Sequence, residues 1–260
     1  MSIMTQNEKA QYFKSLHIKS NPVILFNIWD AGSAKTVEAA GAKVLATGSS
    51  PVAAAFGYAD GENIPLDMAL ANIARIVNAT ELPVSMDIEG GYGSTPDEVS
   101  RTIYNAVKTG IVGLNFEDQI VGSTKIYDID TQVTRIAAAR SAADKACSDI
   151  VLNARTDIFL KAKPDTHNEA MLDEAITRAN AYKNAGADVF FAPGLADETL
   201  IAKLCASIKL PVNIIALPHV PDAQTLATLG VARISHGPVP YKKMSAWLGA
   251  QAKAAFTALG

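Results

Sequence analysis

The chain has 260 residues, 49% hydrophobic and 19% charged, with a formal net charge of -3; this is enough apolar material for one large core and excludes a disordered chain. Apolar residues never run for 18 positions and the lysines and arginines are dispersed, so neither a membrane nor a nucleic acid is expected as a partner. Two cysteines, Cys147 and Cys205, fall in no disulfide or metal spacing and suit a reducing, cytoplasmic setting, and residues 1–19 lack the apolar core of a secretory signal.

In chain order, short β-branched or apolar runs alternate with longer segments of helical periodicity. A strand over 23–27 leads to a helix over 33–40. A strand over 43–47 is followed by a long loop, 48–64, and a helix over 65–79 with Pro65 at its first helical position. Then come a strand at 82–87, a helix at 96–109, a strand at 111–117, a second long loop at 118–130 and a helix at 131–146. Strands at 150–153, 188–191, 212–215 and 231–235 alternate with helices at 168–185, 197–207 and 222–229, and a helix at 241–259 ends the chain. Gly41, Gly110, Gly186 and Gly230 punctuate the helix-to-strand turns, where a left-handed residue closes a helix. Eight such units predict an α/β fold, a (β/α)₈ TIM-type barrel forming one domain over 1–260. An open doubly wound sheet is the alternative, disfavoured because no G-x-G-x-x-G follows the first strand.

A barrel gathers the C-terminal ends of its strands around one pocket, so acids distant in sequence meet there. The third strand runs out through Asp87-Ile88-Glu89-Gly90-Gly91, and a period of two puts Asp87 and Glu89 on one side. The fourth ends in Glu117-Asp118. Such carboxylates repel one another without a cation, and an oxygen-rich site suits Mg²⁺ or Mn²⁺ better than zinc. The plainer fate of an acid here is capping a helix or pairing with a basic side chain, and this is the expectation for Asp118. Arg155, after the fifth strand, can bind a small anionic carboxylate with its planar fork, or pair with Asp157. The turn Thr47-Gly48-Ser49-Ser50-Pro51 offers backbone N–H groups to an anion. Asp60 is an isolated loop acid, and His219 and His236 follow the last two strands as rim residues.

Together, Asn27-Ile28-Trp29-Asp30-Ala31-Gly32-Ser33-Ala34, Asp87-Ile88-Glu89-Gly90-Gly91-Tyr92-Gly93, Asn115-Phe116-Glu117-Asp118 and Asn153-Ala154-Arg155-Thr156-Asp157 resemble the isocitrate lyase and phosphoenolpyruvate mutase superfamily over nearly the whole chain. The resemblance implies Mg²⁺ held directly by Asp87, with Asp60, Glu89 and Glu117 on the metal's waters. It implies substrate-carboxylate binding by Thr47, Gly48, Ser49 and Arg155, with Arg155 and Asp60 as the catalytic side chains. It also implies a homodimer or homotetramer whose last helix is exchanged between subunits. The implied activity is a lyase or decarboxylase acting on a small 2-oxo- or 2-hydroxy-(di)carboxylic acid through an enolate. The alternatives are a phosphonate mutase or hydrolase acting on a phosphorus–carbon bond, and an oxo-acid binding protein without turnover. The loop after the fourth strand reads Gln119-Ile120-Val121-Gly122-Ser123-Thr124-Lys125-Ile126-Tyr127, without the Lys-Lys-Cys-Gly-His of the lyases or the mutases' lysine after Glu-Asp. Lys125, Ser123, Tyr127 and the pocket histidines are then the acid–base candidates. Glu89 is one methylene longer than the aspartate common at its position.

Overall fold

The computed structural model describes residues 4–258. Eight parallel strands, β1 (Val23–Leu25), β2 (Leu45–Ala46), β3 (Val84–Asp87), β4 (Gly113–Glu117), β5 (Val151–Arg155), β6 (Val189–Phe191), β7 (Val212–Ile215) and β8 (Arg233–Ser235), pair in the order β1-β8-β7-β6-β5-β4-β3-β2. The two ends of that order meet just past β1. Ile28 bridges Thr47 in parallel, its N–H donating to the Ala46 carbonyl at 2.9 Å, while the Gly48 N–H donates to the Ile28 carbonyl at 3.3 Å. The fold is the expected (β/α)₈ barrel, and the open sheet is excluded.

Ten α-helices accompany the strands among the described residues: α1 (Gln6–Ser15), α2 (Ala31–Ala39), α3 (Ser49–Ala55), α4 (Leu66–Asn78), α5 (Pro96–Lys108), α6 (Ile129–Ala146), α7 (Glu169–Asn184), α8 (Glu198–Ser207), α9 (Ala223–Thr228) and α10 (Val239–Thr257). Their starts follow from local chemistry. Thr95 caps α5 in a reciprocal box with Glu98, and the side chains of Asp197 and Asp222 accept the N–H groups of Leu200 and Thr225. The glycines at 41, 110, 186 and 230 all have φ between 94° and 108°, the left-handed endings expected. Pro65 departs from expectation: it is the cap of α4, and the helix begins at Leu66. The terminal helix starts at Val239, two residues early, and its expected end at Leu259 lies outside the described residues.

Two cores result. The larger fills the space between sheet and helices, and a smaller one, including Ala10, Phe13, Leu25, Ala46, Val112 and Val151, fills the N-terminal end of the barrel. Phe13, from α1, is fully buried there, and a Cβ on Gly113 would lie only 2.6 Å from its Cε1. The sequence reading missed α1 because only Ala10 and Phe13 of its ten residues are buried, too few for an amphipathic stripe.

α10 is the opposite case, since only Pro240 along it is buried while Trp247, Leu248 and Phe256 are exposed. On the barrel wall, Ile24 and Phe26 point outward and, with Val37 and Ala40 of the α2 region, line an apolar cavity of about 570 Å³. No described helix is long and apolar enough to cross a membrane.

Candidate active site

At the C-terminal ends of the strands a cavity of about 300 Å³ is lined by Asn27, Gly48, Ser49, Asp60, Asp87, Asn115, Arg155 and Lys242, with apolar walls that include Leu160, Phe191 and Ile215. Asp87 is carried to its position by the last residue of β3. Its backbone N–H donates to Thr47 Oγ1 at 3.0 Å, so Thr47 stands behind Asp87 and is not part of the cavity wall. The expected anion-binding turn after β2 is in fact the start of a helix: Gly48 is the cap of α3, which occupies the first part of the supposed loop 48–64. The Ser49 backbone N–H favours the charged form of Asp87.

Beyond β3 the chain makes a tight turn with Glu89 at φ 52° and Gly91 at φ 84°. A Cβ on Gly91 would meet Phe116 Cε2 at 2.8 Å, so only glycine fits. The Arg135 guanidinium fastens this turn by donating to the Gly90 and Gly93 carbonyls, and it stacks on Tyr127 at 4.1 Å and Phe116 at 5.0 Å from the ring centroids. Glu89 Oε2 accepts the N–H groups of Gly61 and Glu62, both at 2.9 Å, and so ties the segment carrying Asp60 over the cavity.

Arg155 lines the cavity and is also strongly paired. Its Nη1 lies 2.7 Å from Glu117 Oε2, and its Nε and Nη2 donate to the two oxygens of Asp157 at 2.6 and 2.9 Å. Both fates considered for Arg155 are therefore combined. Two of its five N–H groups donate to Asp157 and Nη1 forms an ion pair with Glu117, so the fork keeps N–H capacity for a ligand. Burial alone would lower its pKa, but Glu117 and Asp157 outweigh burial and raise it. Asp118 follows the plainer expectation: fully buried, it accepts from Tyr182 Oη at 2.8 Å and the Asp157 N–H at 2.9 Å, and it pairs with Arg178 at 3.2 Å.

Burial raises the carboxyls of Asp87, Glu89 and Glu117, with Glu89 pushed up to about 8. Asp87 and Asp60 repel charge on Glu89, and Asp87 and Glu89 repel it on Glu117, whereas Arg155 works against the rise at Asp87 and Glu117. The acids thus share one electrostatic neighbourhood that holds more negative charge than Arg155 balances, the condition a divalent cation relieves. Among the described residues no three His, Cys, Asp or Glu side chains form a ready-made metal cage.

The loop after β4 forms a tight hairpin bridged between Gln119 and Ile126. Tyr127 lies on Arg135 and the Ser123 carbonyl accepts from Lys161 Nζ, so neither they nor Lys125 line the cavity. His219 and His236 do not line it either, and His236 stacks on Phe26 at 5.0 Å. Asn27, Asn115 and Lys242 were missed as wall residues. The signal for Asn27 was its place at a strand end and for Asn115 its polar side chain inside an apolar strand; for Lys242 there was none, because a lysine near the start of a terminal helix reads as solvated surface.

The family model described as phosphoenolpyruvate phosphomutase matches residues 13–256. A Burkholderia cenocepacia J2315 structure, provisionally named a phosphonomutase, superposes with a TM-score of 0.94 at 47% identity, covering 96% of this chain and 99% of that one. An uncharacterized Mycobacterium tuberculosis protein is 35% identical over 94% of this chain and 87% of its own length. The 2-methylisocitrate lyase of Escherichia coli K12 is 29% identical over 80% of this chain and 70% of its own length.

Proposed function

Since the chain belongs to the phosphoenolpyruvate phosphomutase family, within the isocitrate lyase/phosphoenolpyruvate mutase superfamily of enzymes, we propose that it is a divalent-metal-dependent lyase or decarboxylase acting on a small 2-oxo- or 2-hydroxy-(di)carboxylic acid. The observation that carries this reading is that Asp60 and Asp87 line one cavity beside Arg155, with the buried carboxylates of Glu89 and Glu117 close by. In this reading Asp87 would hold Mg²⁺ or Mn²⁺ directly, and Asp60, Glu89 and Glu117 would hold its waters. The bound ion would supply charge stabilisation to an enolate next to the substrate carbonyl. Arg155 receives the substrate carboxylate with its remaining N–H groups, and Glu117 and Asp157 fix the plane of its guanidinium. Gly48 and Ser49 bound the same cavity at the start of α3, while Thr47 acts through Asp87. The apolar wall of Leu160, Phe191 and Ile215 keeps bulk water from the reacting carbon. The lid hairpin leaves the acid–base role to the cavity wall, where Lys242 is the second cation.

A second reading, cleavage or rearrangement of a phosphorus–carbon bond, is favoured by the 47% identity to the Burkholderia protein. Oxaloacetate, isocitrate, methylisocitrate, 2-oxoglutarate and phosphonopyruvate, each with and without Mg²⁺, separate the readings. Carbon–carbon cleavage that EDTA stops is the expected result. Phosphate release from phosphonopyruvate alone would favour the second reading, and tight oxo-acid binding with no turnover would leave only a binding protein.

We also infer that α10 packs on a second copy of the chain in a homodimer or homotetramer. Its exposed Trp247, Leu248 and Phe256, together with the uncovered apolar cavity at Ile24 and Phe26, support this. Cys147 and Cys205 are both free thiols, in keeping with a reducing cytoplasm.

A further inference from the structure

Asn115 lines the cavity from β4, in register with Asp87 on β3. Its Oδ1 accepts two hydrogen bonds, from Asn153 Nδ2 at 2.8 Å and from Arg233 Nη2 at 2.9 Å. A guanidinium only donates, so Arg233 alone decides which way round the Asn115 amide sits. Arg233 is fully buried and stacked over Phe13, 5.7 Å from the ring centroid, and forms no ion pair among the described residues. With Oδ1 held by two donors, Asn115 Nδ2 is turned away from both, and no hydrogen bond from it occurs among the described residues. The residue is only 4% exposed, yet Nδ2 is not itself enclosed, and the space it opens on is the cavity that Asn115 lines.

We propose that Asn115 Nδ2 is a catalytic hydrogen-bond donor to the substrate oxygen on which negative charge develops, and that Arg233 and Asn153 are positioning residues that hold its amide in the donating orientation. The inference rests on the enolate chemistry proposed above. No proton changes hands: the N–H remains on Asn115 and strengthens its bond as charge builds on the oxygen. The ligand class this donor selects is a planar oxo-acid or enolate carrying an oxygen beside its carboxylate, as opposed to a simple monocarboxylate.

The test uses oxalate, planar and doubly charged like the enolate of pyruvate, with acetate as the monocarboxylate control. Both are titrated calorimetrically into the Mg²⁺-loaded wild type, Asn115→Ala, Asn115→Asp and Arg233→Met. Asn115→Asp keeps an acceptor for Asn153 and Arg233 but exchanges the donor for a charged acceptor, so it checks the fold, and Asn115→Ala isolates the loss of the donor without adding charge. Oxalate affinity should fall about tenfold or more in both Asn115 variants and less in Arg233→Met, with acetate unchanged. For the acid that the wild type turns over, kcat should fall about 10²-fold in Asn115→Ala while KM stays within about threefold. Oxalate affinity and kcat within about twofold of wild type in Asn115→Ala would overturn the assignment and leave the proposed reaction standing. A wild type that binds no oxalate with Mg²⁺ would overturn the proposed reaction, and this inference with it.

Discussion

Asp87 is the residue on which the metal hypothesis turns. It is an acid at the end of a buried strand, raised by burial and backed by Thr47. Asp87→Ala is expected to lower metal-dependent turnover at least about 10²-fold with the circular dichroism spectrum unchanged. A variant that stays active and indifferent to EDTA would refute the role. At the opposite end of the barrel, His17 Nδ1 donates to the Phe13 carbonyl at 3.0 Å while its Nε2 is enclosed without a partner. Burial, then Arg233, lower its pKa to about 3 from 6.5. The unfolded chain therefore binds a proton between these pH values that the folded chain refuses, so stability is full above pH 6.5 and declines as the pH falls toward 3. Urea unfolding at pH 7.5 and pH 4 should show a loss on the order of 1–3 kcal/mol in the wild type that shrinks in His17→Gln. An unchanged pH dependence in that variant would exclude His17.

Among the elements, strands and outer helices were legible because each had the periodicity of its type and a glycine or capping acid to end it. The pieces that sequence alone did not yield, α1 and α3, lack an apolar stripe or lie in a segment whose Gly-Ser-Ser-Pro start reads as a turn. The carboxylates of the site were legible because barrel topology alone brings strand ends together. Asn115, by contrast, owes its meaning to Arg233, a residue 118 positions away. The Asp118–Arg178 pair is an element-scale clamp, joining the end of β4 to α7 with Tyr182 as a third member. Arg178→Met leaves Asp118 buried without its cation, and thermal or urea unfolding should show a cost of roughly 3–5 kcal/mol. A cost under about 1 kcal/mol would mean that Tyr182 and the Asp157 N–H suffice.

For the molecule as a whole, the exposed apolar residues of α10 and the uncovered strip of barrel wall are the surfaces that the proposed subunit contact would cover. Trp247→Glu should shift the species seen in sedimentation velocity toward monomer, or lower its melting temperature with a new dependence on protein concentration. Identical sedimentation of wild type and variant would remove α10 from the interface. The Phe13 plug bears on a different matter, the order in which products depart. With Phe13 of α1 buried in the base and Arg233 lying over that ring, the described residues close the pocket's floor and leave it open at the strand ends. Under the proposed lyase chemistry two fragments made inside it would queue, and the one seated deeper, against Asp87, would wait until the outer one had gone.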